Sequence, residues 1–253
     1  MIHNRTVRRL AGIDKILDLA RALTTAPQPQ ARLGTLAIAG AVLISALPML
    51  SFYTEPGLDR VDFKTLLVGI AASFAILFRR RLGIHLGSVT QWRRSLHLTH
   101  VAFALGCIPT LLVIALYPEA LYHLQPSQSG TASAGGPPPA LSSILLHLAG
   151  IAAWAALTEE FIFRGLLIGV FRRWNALPSG RTRDTIAVLA SAAMFGLAHL
   201  PSWGPAMSFA LFGLGIGFGL AYIAIGEVLL PLIVYHLIFD FLSLSFAVFL
   251  RNH

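Results

Sequence analysis

Charge is scarce in this chain. Asp, Glu, Lys and Arg together make 12% of its 253 residues, against 56% hydrophobic, and 12% is about half the usual charged share. A soluble domain this poor in charge cannot cover its surface, and so apolar a chain does not stay unfolded, so neither an ordinary cytosolic globule nor a disordered protein fits. Cysteine is nearly absent. The single Cys107 excludes a disulfide framework and any Cys-based metal cluster, and in an apolar stretch with no evident base it reads as inert. Lysine is rare as well: of 19 basic residues, all but Lys15 and Lys64 are arginine. Several motifs are missing. There is no H-E-x-x-H of a zinc protease. Asp240 has neither a G-x-G-D context nor a second spanning Asp, so an aspartyl site has no support, and Ser179 and Gly180 lie in a loop, so a spanning serine nucleophile has none either. Residues 1–32 hold no apolar core ahead of a small-residue cleavage site, so no cleavable signal peptide is expected. No internal repeat stands out.

What is present is apolar length. Seven stretches qualify, 33–53, 63–78, 97–117, 141–171, 186–200, 207–225 and 228–250, where a membrane crossing needs ~20 residues. The second and fifth are short. The fourth is too long for a straight crossing and must tilt, break or project. The expectation is an all-α polytopic membrane bundle of about seven spans, with six or eight as alternatives. Residues 10–23 read as an amphipathic helix lying on the membrane surface. Residues 125–140, rich in Ser, Gly and Pro, read as a flexible outside loop. The expected organisation is a cytoplasmic segment at 1–32, a front half of three spans at 33–120, a loop at 121–140 and a four-span core at 141–253.

The basic residues alternate along this plan. Arg5, Arg8, Arg9, Lys15, Arg21 and Arg32 precede the first span. Arg79, Arg80, Arg81, Arg93 and Arg94 fall between the second and third, and Arg164, Arg172, Arg173, Arg181 and Arg183 lie within or after the fourth. The intervening segments are poor in Arg and Lys. This positive-inside pattern predicts a cytoplasmic N-terminus and accounts for the net charge of +8 through topology and anionic lipid. No basic, aromatic-interleaved stripe calls for nucleic acid. Trp92, Trp154, Trp174 and Trp203 lie mostly near span ends, as an aromatic belt does.

Ionisable residues within apolar spans are costly and are functional candidates by default. The front half is nearly free of them, with His100 near a span end. The back half has Glu159, Glu160 and Arg164 in span four, His199 in span five, and His236 and Asp240 in span seven. Counted from the nearest cytoplasmic charges at ~1.5 Å per residue, Glu159, His199, His236 and Asp240 lie roughly 14 to 24 Å deep, one level on three helices. Glu160 and Arg164 are i and i+4 and pair along one face, and the bland reading is a structural pair with Arg164 snorkelling to the cytoplasmic side. Glu159 is rotated by about 100° and is left to face a pocket. His236 and Asp240, again i and i+4, project together, and Phe195 and His199 repeat the spacing. The glycines 213, 215, 217 and 219 in span six follow no strand and precede no Lys, so they read as small-x-x-x-small packing pairs and not as a phosphate loop.

Such a set admits amide hydrolysis. A carboxylate in an apolar pocket serves as a base near neutral pH, and polar groups beside it stabilise an oxyanion. The same Glu159, His199, His236 and Asp240 also suit a divalent metal such as zinc, which would make the water nucleophilic. A proton-coupled transporter or channel, or a non-catalytic immunity or scaffold protein, are the alternatives from other classes.

Three motifs, Glu159-Glu160-Phe161-Ile162-Phe163-Arg164, Phe195-Gly196-Leu197-Ala198-His199 and His236-Leu237-Ile238-Phe239-Asp240, resemble in order and spacing those of the CPBP family of intramembrane proteases. That family includes the type II CAAX-prenyl endopeptidases and the Abi proteins. The resemblance covers about 145–250. It implies Glu159 as the base that activates water, His199 holding that water, His236 and residue 240 stabilising the oxyanion, and Glu160 and Arg164 supporting the site, with no cofactor required. Asp240 stands where many relatives have Asn. An ionised carboxylate cannot donate a hydrogen bond, so Asp240 is protonated, fixes the tautomer of His236, or is a metal ligand. The implied partners are a lipid-modified or membrane-embedded peptide substrate and membrane lipid. A basic chain with this topology fits a bacterial inner membrane, where peptide maturation, anchor removal or bacteriocin self-immunity suit it better than prenylated tails.

Overall fold

A computed structural model of the protein describes residues 13–25, 33–47, 60–80, 83–117 and 141–252. The expected loop at 125–140 and residues 1–12 lie outside these. The described residues are helical, and the only sheet-like pairing among them is two isolated bridges, Leu33 with Trp174 and His85 with Val228. The helices are α1 (Ile13–Thr25), α2 (Thr35–Ala46), α3 (Arg60–Phe78), α4 (Val89–Leu116), α5 (Leu141–Glu159), a π-helical segment (Glu160–Ile168), α6 (Gly169–Arg173), α7 (Arg181–Ala224) and α8 (Leu230–Asn252). Among the described residues, three stretches are long and apolar enough to cross a membrane, Ser95–Leu116, Leu141–Arg173 and Trp203–Ala224. Three shorter apolar ones are Thr35–Ala46, Leu66–Phe78 and Leu230–Phe246. Large apolar side chains point outward with no protein over them, Leu36 at 90% and Leu77 at 80% exposure, which suits hydrocarbon and not water.

α1 is amphipathic, as its sequence predicts. It buries Leu19 against α4 and α7 while Ile16 and Leu17 stay exposed, so it docks on the bundle and does not float on the membrane alone. α4 starts at a capping box: Gln91 N–H donates to Ser88 Oγ at 3.2 Å, and Ser88 N–H donates to Gln91 Oε1 at 2.8 Å.

The overlong fourth stretch resolves into a continuous helix whose hydrogen-bond pattern changes at Glu160. Every residue from Glu160 to Ile168 is buried, and this π-helical segment sits among α2, α3, α5 and α7. Wide turns of this kind gather at functional sites. Ser191 Oγ donates to Phe163 O at 2.6 Å and ties α7 to it.

α7 is a hairpin. Gly204 has φ 72° and ψ 173°, a region that essentially only glycine occupies, and there the chain reverses. Beyond it Gly215 lies against Ala192 and Phe195, and Gly219 against Val188. The arms 181–203 and 205–224 thus run antiparallel and correspond to the fifth and sixth expected spans. The other glycine pair faces α4. A Cβ on Gly106 would stand 3.1 Å from Gly217 Cα, and the Pro109 ring occupies the space beside Gly213. Close helix crossing is thus the use of these glycines.

The arginines after the π-helical segment are not free surface charge. Arg172 Nε donates to Asp184 Oδ1 at 2.7 Å, Arg172 also pairs with Glu227, and Arg173 Nη2 meets Glu227 Oε2 at 3.2 Å. Arg183 donates to Arg172 O at 3.3 Å and Leu177 O at 2.7 Å. All three arginines are buried. This cluster pins the ends of α6, α7 and the turn before α8 to one another.

Candidate functional site

The site is assembled from one junction and two helices. Glu159 ends α5 and Glu160 opens the π-helical segment, so the two carboxylates leave the chain where its pitch changes. His199 comes from the first arm of α7, and His236 and Asp240 come one turn apart from α8. Glu159 Oε1 stands 3.8 Å from His199 Nε2, and Glu159 Oε2 stands 3.7 Å from His236 Nε2. Asp240 Oδ2 stands 3.4 Å from that same His236 nitrogen. The structure therefore brings Glu159, His199, His236 and Asp240 together. Distances of 3.7–3.8 Å exceed a direct hydrogen bond, and two polar atoms so spaced can share one water at ~2.8 Å from each.

The imidazoles are oriented from behind. His199 Nδ1 lies 2.8 Å from Phe195 O. A carbonyl only accepts, so Nδ1 carries the hydrogen and a neutral His199 turns the lone pair of Nε2 toward Glu159. His236 Nδ1 lies 2.8 Å from Glu160 Oε1, donates to that carboxylate, and leaves Nε2 for the open side. Exposure grades the same way. Side chains of Glu159, His199 and Asp240 are 21%, 13% and 25% exposed, while Glu160 and Arg164 are at 0%.

One expectation needs correction. Arg164 does not snorkel. Its guanidinium is fully buried, 3.1 Å from Glu160 Oε1, and lies between the Phe195 and Phe218 rings with its carbon 4.6 and 5.0 Å from their centroids. Aromatic faces attract a desolvated cation, and this sandwich holds Arg164 inside the bundle. Glu160, expected to support the site, lies against both Arg164 and His236. On a π-helix each residue advances by a smaller angle than on an α-helix. Adjacent Glu159 and Glu160 consequently reach the two nitrogens of one imidazole, at 3.7 and 2.8 Å.

Phe218 is the residue that sequence reasoning missed. Its ring stacks on His236 at 5.5 Å between centroids and 29° between planes, while also facing Arg164 and lying 5.5 Å from Phe103. It sits between Gly217 and Gly219, and the packing role of those glycines hid it. Phe195 was expected to support the site, and its ring lies 4.8 Å from His199 and 5.2 Å from Phe163. His100, the lone front-half candidate, joins no catalytic group; its Nδ1 is 3.4 Å from the Tyr235 hydroxyl. Among the described residues, no three or more His, Cys, Asp or Glu side chains take up a metal-ligand arrangement.

Residues 141–242 match the family model of Rce1-like type II CAAX prenyl endopeptidases. The match takes in all three motifs, the π-helical segment and the whole α7 hairpin, so the segment that builds the site is the one that is similar to that family. No curated protein and no solved structure matches the chain.

Proposed function

We propose, from a back half that is Rce1-like, that the protein is an intramembrane endopeptidase in which Glu159 activates the water that hydrolyses a peptide bond. The family supports a CAAX-type membrane protease in general, and the residue roles are our reading. The observation that carries it is the Glu159 carboxylate, whose two oxygens face the Nε2 atoms of His199 and His236 from two other helices at 3.8 and 3.7 Å. A water between Glu159 and His199 gives one hydrogen to each. Its oxygen lone pair is then free for a carbonyl carbon, and Glu159 takes the proton as the bond forms. Protonated on both nitrogens, His236 points Nε2–H at the carbonyl oxygen as negative charge develops there, with Glu160 behind it as the counter-charge. The preferred chemistry uses no metal.

The substrate class follows from the surroundings. Outward-facing leucines around the site's helices suit lipid, so the substrate is a lipid-modified tail or a membrane-embedded peptide that reaches the site from within the bilayer. The alternation of arginines supports a cytoplasmic N-terminus, with the inner membrane of a bacterium as the proposed setting. The test is cleavage of apolar and lipidated peptides by the purified protein, wild type against Glu159→Gln, with and without chelator. We expect cleavage by the wild type in chelator and none by the variant. Equal cleavage by Glu159→Gln removes the base, and loss in chelator that added metal restores replaces it with a metal-bound water.

A further inference from the structure

Two carboxylates face one imidazole nitrogen. Asp240 Oδ2 stands 3.4 Å and Glu159 Oε2 3.7 Å from His236 Nε2, while the opposite nitrogen is committed to Glu160 at 2.8 Å. His236 is therefore anchored on its inner edge and shared on its outer edge. Arg164 and a doubly protonated His236 bring two positive charges, and Glu159, Glu160 and Asp240 bring three negative ones when all are ionised. His199 adds none while neutral. Burying uncompensated charge is costly, and neutrality leaves one proton for three carboxylates. Glu160 lies against Arg164 Nη1 at 3.1 Å and His236 Nδ1 at 2.8 Å, so it is the one best held as an anion. Glu159 faces the water position beside His199. Among the described residues, Asp240 has His236 alone as a charged partner.

Resting on the peptidase reading above, we infer that Asp240 holds that proton and is the acid that delivers it to the departing amine. Both outer carboxylates lie on the open side, where a substrate meets them. The steps balance. Water gives a proton to Glu159 as its oxygen bonds to the carbonyl carbon and the carbonyl π electrons move onto oxygen. The C=O re-forms, the C–N bond breaks with its electron pair going to nitrogen, and nitrogen takes the proton of Asp240. His236 then passes its Nε2 proton to Asp240 and receives the one on Glu159, which resets the site. One water enters, and one acid and one amine leave. Asp240 is thereby a catalytic residue in its own right, at a position where an amide side chain has no proton to transfer.

The test separates leaving groups. An apolar peptide amide and the p-nitrophenyl ester of the same acyl segment are offered to the wild type and to Asp240→Asn in detergent micelles. A nitrophenolate leaves without a proton, whereas an amine does not. We expect the variant to lose amide cleavage by about 10²–10⁴-fold, the range for general acid catalysis, and to keep ester cleavage within about threefold. The retained ester reaction also reports that the variant is folded. If Asp240→Asn does not accumulate, Asp240→Ser carries the same comparison. An ester-to-amide ratio equal to that of the wild type overturns the inference, whether both reactions persist or both are lost together. A wild type that cleaves neither substrate refutes the peptidase reading itself, and that outcome is seen before any variant is made.

Discussion

His236 and Glu160, 76 positions apart in the chain, meet at 2.8 Å across the seam between α8 and the π-helical segment. The same Glu160 oxygen lies 3.1 Å from Arg164, so one fully buried carboxylate both fixes an imidazole and neutralises a guanidinium. Removing it does two kinds of harm. Glu160→Ala leaves Arg164 as an uncompensated buried charge and should destabilise the fold by about 3–5 kcal/mol, read as the midpoint of denaturation in mixed micelles. Glu160→Gln keeps an acceptor for His236 but not the charge. It should lower kcat more than it raises KM, because the imidazolium it steadies is needed as charge develops.

Glu159 is a contrasting case. It is partly exposed and makes no contact shorter than 3.7 Å to either imidazole, so its loss should cost the fold little. Glu159→Gln should melt within about 0.5 kcal/mol of the wild type, as substitutions outside buried networks do, while peptide cleavage falls by about 10²–10⁴-fold. A parallel loss of stability and activity would contradict this division of labour.

The cluster of Arg172, Arg173, Asp184 and Glu227 lies away from the reacting groups, at the ends of α6, α7 and α8. Glu227→Ala takes the carboxylate from Arg173 and leaves Arg172 with Asp184, and should cost about 3–5 kcal/mol. Activity per folded molecule should stay near that of the wild type. Titrating active protein with a covalent probe alongside the melting curve distinguishes lost protein from lost turnover.

Gly204 isolates a backbone effect. A Cβ there would meet nothing within 4 Å, yet φ is 72°. Gly204→Ala should therefore destabilise by about 1–3 kcal/mol through strain alone. A neutral result in thermal melting would mean that the turn relaxes to another conformation without penalty.

Much of this was legible in the sequence because lipid imposes simple rules. Apolar length announced the helices, and the cost of ionisable groups in hydrocarbon drew attention to Glu159, His199, His236 and Asp240, which do lie together. What failed to show were features that depend on local pitch or on distant partners. An α-helical wheel applied to Glu160 and Arg164 gave their pairing but not the contact of Glu160 with His236, since nothing in the residues announces i→i+5 bonding. Arg164 was expected to reach for water because the Phe195 and Phe218 faces that enclose it come from two different arms of a hairpin. The arginines at 172, 173 and 183 were counted for topology, and their burial became visible only with Asp184 and Glu227 beside them.

The hairpin at Gly204 bears on how the protein enters the bilayer. Among the described residues, Trp203–Ala224, which takes in the whole second arm, is long and apolar enough to cross by itself; the first arm begins with Arg181, Arg183 and Asp184 and carries His199. A nascent chain released after the first arm would offer the translocon the apolar run 186–200, shorter than the ~20 residues that a crossing needs. Residues 205–224 supply the missing length, so the two arms are expected to enter as a pair once the ribosome has finished the second, and the histidine arrives with them.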